Sequence, residues 1–219
     1  MDRLNELWPE FWQAALETLY MTTVALALSG VLGTLIGIGL YITRPGGLMP
    51  NRTINLVIGF LVNFFRPIPF VIFIAVLMPV TRAVIGIGIG VNAGAFAIGI
   101  AASFAIGRIV EQHLVSVSPG VIEAARSMGA GPWRILFTVA IPESLGPLIL
   151  GYTFIVVALI DMTAMAGLVG GGGLGAFAQI YGFRQFEPVV MWAAIILIVV
   201  FVHVVQTLGA RLARKIMRR

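Results

Sequence analysis

The chain has 219 residues, 59% of them hydrophobic and 11% charged, with a mean hydropathy of +1.03 and a formal net charge of +5. A soluble domain carries about 25% charged residues, so this composition cannot clothe a water-facing surface and excludes an ordinary soluble globular fold. Cysteine is absent, which removes disulfides and thiolate metal sites.

Taken in chain order, the apolar runs between charges mark membrane crossings. The first, 18–43, contains no charged residue, and about 20 apolar residues suffice to cross a bilayer. A cleaved signal peptide opens on a basic region and has a short apolar core. Here the start carries Asp2, Glu6, Glu10 and Glu17 against Arg3, and the cleavage-like Ala25-Leu26-Ala27 falls in mid-span, so the run is a transmembrane helix. The second crossing lies near 56–78, where Arg66 interrupts it and Pro67, Pro69 and Pro79 are expected to bend it. Arg66 is expected near the cytoplasmic boundary, reached by snorkelling along its stem. The third crossing covers 92–107, with its start open back into the glycine-rich 85–90; the fourth covers 145–165 and the fifth 188–208. The expected fold is therefore all-α: a polytopic membrane protein with five transmembrane helices, one domain over 1–219. The 26 glycines suit close approach of helices in lipid.

The 14 cations divide unequally between the two sides. Arg3, Arg82 and Arg184 fall on one; Arg44, Arg52, Arg66, Arg108, Arg126, Arg134, Arg211, Arg214, Lys215, Arg218 and Arg219 fall on the other. Positive charge accumulates in the cytoplasm, which puts the N-terminus outside and the basic tail inside. That tail is expected to meet the anionic lipid leaflet. Nucleic-acid binding would need a basic surface on a folded soluble domain, so no nucleic-acid partner is expected.

Between the third and fourth crossings lies PGVIEAARSMGAGPWRILFTVAIP, residues 119–142. Ser118 is placed to cap a helix with its side chain, and Pro119 fits the first helical position. Ile122, Ala125 and Met128 recur at helical spacing, with Glu123 and Arg126 on other faces. Gly129 is expected to end the helix in the left-handed conformation. Gly131 and Pro132 then start a second short helix with Trp133, Leu136, Phe137 and Ala140 along one side, stopped by Pro142. Two short helices meeting at a glycine would make a rigid docking knob.

Glu123-Ala124-Ala125, Gly129 three residues beyond Arg126, and Ile141-Pro142 resemble the EAA signature of ABC-importer permeases. The resemblance implies a type I importer permease whose cytoplasmic loop, about 111–144, carries a coupling helix seated in a cleft of an ATPase. The coupling residues it implies are Glu123, Ala124, Ala125, Ser127, Met128, Gly129, Ala130, Gly131, Ile141 and Pro142; the alternative is an ordinary cytoplasmic hairpin. Thr43-Arg44-Pro45-Gly46 and Val62-Asn63-Phe64-Phe65-Arg66-Pro67-Ile68-Pro69-Phe70 are similar to the methionine-uptake subgroup. So are Met78-Pro79-Val80-Thr81-Arg82, the stretch from Ala164 through the glycines to Gly175, and Tyr181-Gly182-Phe183. This wider similarity implies a homodimer in the bacterial inner membrane, bound to two cytoplasmic ATPase subunits and served by an extracytoplasmic solute-binding protein. The cargo it implies is an amino acid, methionine first, with another amino acid or a small amine as the alternative.

Catalytic constellations are missing. His113 and His203 stand far apart with no metal-ligand spacing, and each suits an interfacial or packed residue. No phosphate loop of the GxxxxGK[ST] type occurs, and Lys215 is the sole lysine, so this chain holds no cofactor of its own; ATP and magnesium belong on the ATPase. An ion-driven secondary transporter would show internal repeats, and an intramembrane hydrolase would need a second acidic side chain opposite Asp161.

Asp161 lies within the apolar run 154–165, and a carboxylate at membrane depth marks a functional site by default. It departs from the subgroup's pattern, where a small neutral residue is usual. Two readings stand: contact with a substrate ammonium in the central pathway, or pairing with Arg184 near the outer boundary. Met162 and Met165 offer adaptable apolar surface to the same pathway. Gly170 to Gly173 cannot continue a helix cheaply and are expected to form a tight outer turn, as either a gate-adjacent loop or a closely packed helix end.

Overall fold

The computed structural model describes residues 2–217; Arg218 and Arg219 lie outside them. In lipid every backbone polar group must be satisfied within the chain, which leaves helices as the economical solution, and the described residues hold helices and the turns between them. A short α1 (Asp2–Glu6) leads into α2 (Trp8–Thr43), whose 36 residues span about 54 Å and so outreach the hydrocarbon core. Hydroxyls of Thr22, Ser29 and Thr43 donate to the carbonyls four residues earlier in α2, which satisfies them inside an apolar helix.

The second crossing is sharply bent where its prolines lie: it is built of two helices, α3 (Arg52–Phe65) and α4 (Phe70–Ile85), whose axes turn by 116° across residues 66–69. Pro67 and Pro69 lack the N–H groups that would carry the helix through, and the last helical bond runs from Arg66 N to Val62 O at 3.1 Å. Pro79 lies inside α4 without ending it. The Asn51 side chain accepts the Ile54 N–H at 3.0 Å and caps α3.

Crossing three is α5 (Val91–Val115), and it does not begin in the 85–90 segment. Gly86 at φ +86 closes α4 and Gly90 at φ +109 precedes α5, so the segment is a loop. Helix α5 is the centre of the bundle, packed along most of α2. Glycine makes that contact possible. A Cβ on Gly37 would stand 2.5 Å from the Gly107 carbonyl oxygen and 2.6 Å from Val110 Cβ. A Cβ on Gly33 would stand 2.5 Å from Ile106 Cβ.

After α6 (Pro119–Ser127) the chain re-enters at α7 (Pro132–Ile135), passes through a π-helical turn (Leu136–Ala140) and continues as α8 (Ile141–Leu168). Helices α7 and α8 thus form one rod of 37 residues, Pro132–Leu168. Pro142 does not stop the second hairpin helix as the pattern of residues suggested: the π turn widens the ladder just where the proline removes a donor. Helix α9 (Gly173–Phe177) and a second π turn (Ala178–Phe183) lead to α10 (Pro188–Met217), which packs on α8. Two apolar clusters result. The larger joins α2, α5 and α8 around Met21, Ile98, Ile106 and Leu159. The smaller joins Phe11, Phe177, Val190 and Ala194 near the N-terminus.

Candidate functional site: a coupling hairpin and an interhelical cavity

The hairpin is built on one glycine. Gly129 sits at φ +80, a region costly to any residue with a Cβ. Its N–H donates to Arg126 O at 2.9 Å and the Ala130 N–H to Ala125 O at 3.1 Å, the paired bonds that finish a helix in a left-handed turn. Ser118 occupies the cap of α6, yet its side chain makes no cap hydrogen bond; the backbone supplies one instead, from Val121 N to Ser118 O. The hairpin is tied to the bundle by the Arg126 guanidinium, which donates to Gly47 O at 3.0 Å in the loop after α2.

Burial divides the coupling candidates into two groups. Ala125 is buried, and Ala130 and Ile141 pack against the large cluster, so these three hold the hairpin in place. Glu123, Ala124, Ser127, Met128, Gly129, Gly131 and Pro142 are exposed, with Met128 bare at 81%. The expected apolar side of the second helix is split. Leu136 and Ala140 are fully buried, whereas Trp133 and Phe137 face outward, their rings stacked at 6.2 Å. Trp133 precedes the π turn and Phe137 lies within it four residues on, so the two rings share the outward face.

The second feature is a cavity of about 300 Å³ between the α3–α4 break and the middles of α5 and α8, lined by Arg66, Phe65, Phe73, Ala102, Ala158 and Met162 among others. Phe65 stacks on Phe104 at 4.8 Å and meets Phe73 edge-on at 6.1 Å. Phe104 is near the midpoint of α5, so Arg66, at the start of the α3–α4 break, stands level with the middle of that helix.

A family model for the inner membrane component of binding-protein-dependent transport systems matches residues 32–218. The chain belongs to that family. Its fold is that of ABC-importer permeases, and its part is transport, not catalysis. The chain is 36% identical over 206 residues to the probable D-methionine transport system permease protein MetI of Vibrio cholerae, covering 94% of this chain and 92% of the relative. It is 41% identical over 200 residues to the methionine import system permease protein MetP of Bacillus subtilis, covering 91% and 90%. Among solved structures, an inward-facing conformation of the MetNI methionine ABC transporter matches with a TM-score of 0.93 at 35% identity, covering 97% of this chain and 98% of the other.

Within this permease, the three pathway candidates fall on two faces of α8. Met162 lines the cavity beside Arg66. Asp161 and Met165 lie on an exposed stripe with Leu150, Phe154 and Leu168. Asp161 makes no ion pair with Arg184: among the described residues the salt bridges are Arg3–Glu6 and Arg108–Glu111. The end of α8, the glycine turn, α9 and the second π turn separate the two along the chain, and Arg184 stands at the close of that π turn.

The glycine block forms the expected tight turn. Gly170, Gly172 and Gly173 have φ of +88, +79 and +78, and Gly171 N–H donates to Ala166 O at 2.8 Å. Glu17 and Thr18 of α2 hold it from the other side. The hairpin, the 44–47 loop and the end of α10 gather at one end of the bundle, and the N-terminus and glycine block at the other.

Proposed function

We propose that this chain is the permease subunit of an ATP-driven methionine importer, acting as a homodimer with two cytoplasmic ATPase subunits and an extracytoplasmic solute-binding protein. Relatives named for methionine transport, alike over nine-tenths of the chain, support the cargo. The single observation that carries the coupling role is the hairpin, where a left-handed Gly129 presents a bare Met128 beside Glu123 and Ala124. A rigid, exposed, partly apolar knob suits a cleft on a second protein.

The whole of 1–219 then serves as one permease domain, with 111–144 facing the ATPase. The skewed distribution of cations supports an N-terminus outside and a C-terminus in the cytoplasm. Glu123, Ala124, Ser127, Met128, Gly129, Gly131 and Pro142 would contact the ATPase, with Ala125, Ala130 and Ile141 supporting them. ATP and magnesium would bind the ATPase alone. The exposed stripe on α8 supports a second copy: a carboxylate such as Asp161 is costly against lipid and is better placed with Met165 toward a shared pathway, Met162 facing the cavity behind them. Asp161 also supports a second reading, in which the cargo is another amino acid or a small amine.

The test is ATP-dependent uptake in proteoliposomes containing this chain, its ATPase and its binding protein. Labelled methionine should accumulate only when ATP and the binding protein are both supplied. Uptake of amines with none of methionine would move the cargo to the second reading, and failure to copurify with any ATPase would remove the importer reading.

A further inference from the structure

We infer that Arg66 receives the α-carboxylate of the amino acid in transit, and that the cavity beside it, walled by Phe65, Phe70, Phe73 and Met162, takes the side chain. The inference rests on the importer reading for its cargo and adds the residue that would hold it.

Position is the first argument. Phe65 rests on Phe104 at 4.8 Å, and Phe104 lies about 20 Å from one end of α5 and about 17 Å from the other at 1.5 Å per residue. Arg66 follows Phe65 and lines the cavity beside the middles of α5 and α8. A cation among membrane-spanning helices is costly without a partner, and such residues turn toward a cavity or pathway.

Partnership is the second. No carboxylate of the described residues pairs with Arg66, since the ion pairs lie at Arg3–Glu6 and Arg108–Glu111, and Asp161 is not part of the cavity wall. A guanidinium presents a planar fork matched to a carboxylate. The cargo's own carboxylate would complete the pair.

Shape is the third. Small-molecule sites have volumes of about 300–1,000 Å³ and mostly apolar walls with a few convergent polar groups. This cavity, at about 300 Å³, stands at the small end, as a single amino acid requires. Among its mostly aliphatic wall stand three aromatic rings, Phe65, Phe70 and Phe73, with Phe65 stacked on Phe104 at 4.8 Å and edge-on to Phe73 at 6.1 Å, and the Met162 thioether. Both surfaces are polarisable and suit a thioether or other apolar side chain.

The absence of cysteine provides a site-specific reporter. Met162→Cys is made in the permease assembled with its ATPase, and the rate of labelling of this chain by a maleimide is followed. The probes are methionine, 4-(methylthio)butanoate, which keeps the carboxylate and lacks the amine, and 3-(methylthio)propylamine, which keeps the amine and lacks the carboxylate. Methionine and the butanoate should slow labelling, and the amine should need a concentration about ten-fold higher or more, as loss of a charge-assisted hydrogen bond predicts. Arg66→Gln should abolish that difference and Arg66→Lys should keep part of it, both still copurifying with the ATPase. If Met162→Cys fails to assemble, Ala158→Cys on the same wall replaces it. Equal protection by acid and amine, protection by none of the probes, or an unchanged preference in Arg66→Gln would overturn the assignment. Methionine uptake by the unsubstituted permease is scored separately: uptake without protection removes the Arg66 assignment alone, and loss of both removes the importer reading.

Discussion

The Glu17 carboxylate of α2 accepts the Gly173 N–H at 2.8 Å, joining residues 156 positions apart. The Thr18 hydroxyl accepts the next N–H, from Leu174, at the same distance. These two bonds satisfy the start of α9, where Gly172 and Gly173 hold positive φ and cannot cap themselves. Gly173 is also crowded, since a Cβ there would stand 2.8 Å from both Met21 Cε and Thr18 Oγ1. The first helix of the bundle thereby fixes the turn after the fourth crossing.

Glu17→Ala should lower thermal stability, because a hydrogen bond to a charged group contributes about 1.5–3 kcal/mol. Glu17→Gln keeps an acceptor and should recover much of that loss. Melting of the purified permease in detergent, followed by intrinsic fluorescence, compares the two. Equal melting of Glu17→Ala and the parent would show that the tie contributes nothing.

The helix contact at Gly37 gives a packing prediction. Gly37→Leu would drive a side chain into the Gly107 carbonyl and Val110, and overpacking of this kind costs about 1–3 kcal/mol. Reduced yield of folded permease and a lower melting temperature are expected, and Gly39→Leu, which meets only the flexible tip of Ile58, should be milder. Size-exclusion profiles and melting curves of the two variants decide it.

Gly129→Asp tests coupling. It forces a side chain into the left-handed region at a cost of about 1–2 kcal/mol and adds a charge at the proposed contact. Nothing lies within 4 Å of a Cβ there, so the fold of the bundle should survive. The variant should reach the membrane and lose both copurifying ATPase and uptake. Normal copurification would take the hairpin out of the mechanism.

Topology is checked by single cysteines at Glu6 and Gly131, introduced cleanly because the chain has none. An impermeant thiol reagent applied to sealed cells should label position 6 and spare position 131. Labelling at 131 from outside would invert the orientation and remove the ATPase contact with it.

Asp161→Asn keeps the side chain's shape and removes its charge. Uptake should fall by about 10- to 150-fold if the carboxylate contacts a cargo ammonium, the equivalent of about 1.5–3 kcal/mol, while the binding protein loads as before. Arg184→Gln should leave uptake intact, since no ion pair joins the two residues. Parallel loss in both variants would restore a functional link between them.

Much of this arrangement was legible in the residues themselves. The 18–43 and 188–208 runs lie inside α2 and α10, because an unbroken apolar stretch in lipid has helix as its one cheap backbone. Gly129 was legible as a left-handed helix end for a local reason: its neighbours Arg126 and Ala130 supply the closing bonds within a single turn. The start of the second hairpin helix at Gly131 and Pro132 was legible in the same way.

What escaped depended on contacts between distant segments. Pro142 was expected to stop a helix, but the π turn from Leu136 to Ala140 absorbs its missing donor while Leu136 and Ala140 pack into the bundle. Tertiary burial there outweighs a local breaker. The place of Arg66 beside the middles of α5 and α8 is decided by Phe65 stacking on Phe104, 39 residues away. The Glu17–Gly173 bond likewise joins two segments with no mutual signal in the chain. Class, approximate spans and the hairpin's turn follow from composition and local backbone preference, which act over a few residues. The sharp turn in the second crossing, the guanidinium beside the cavity and the anchored glycine turn follow from packing, which exists only once the helices have met.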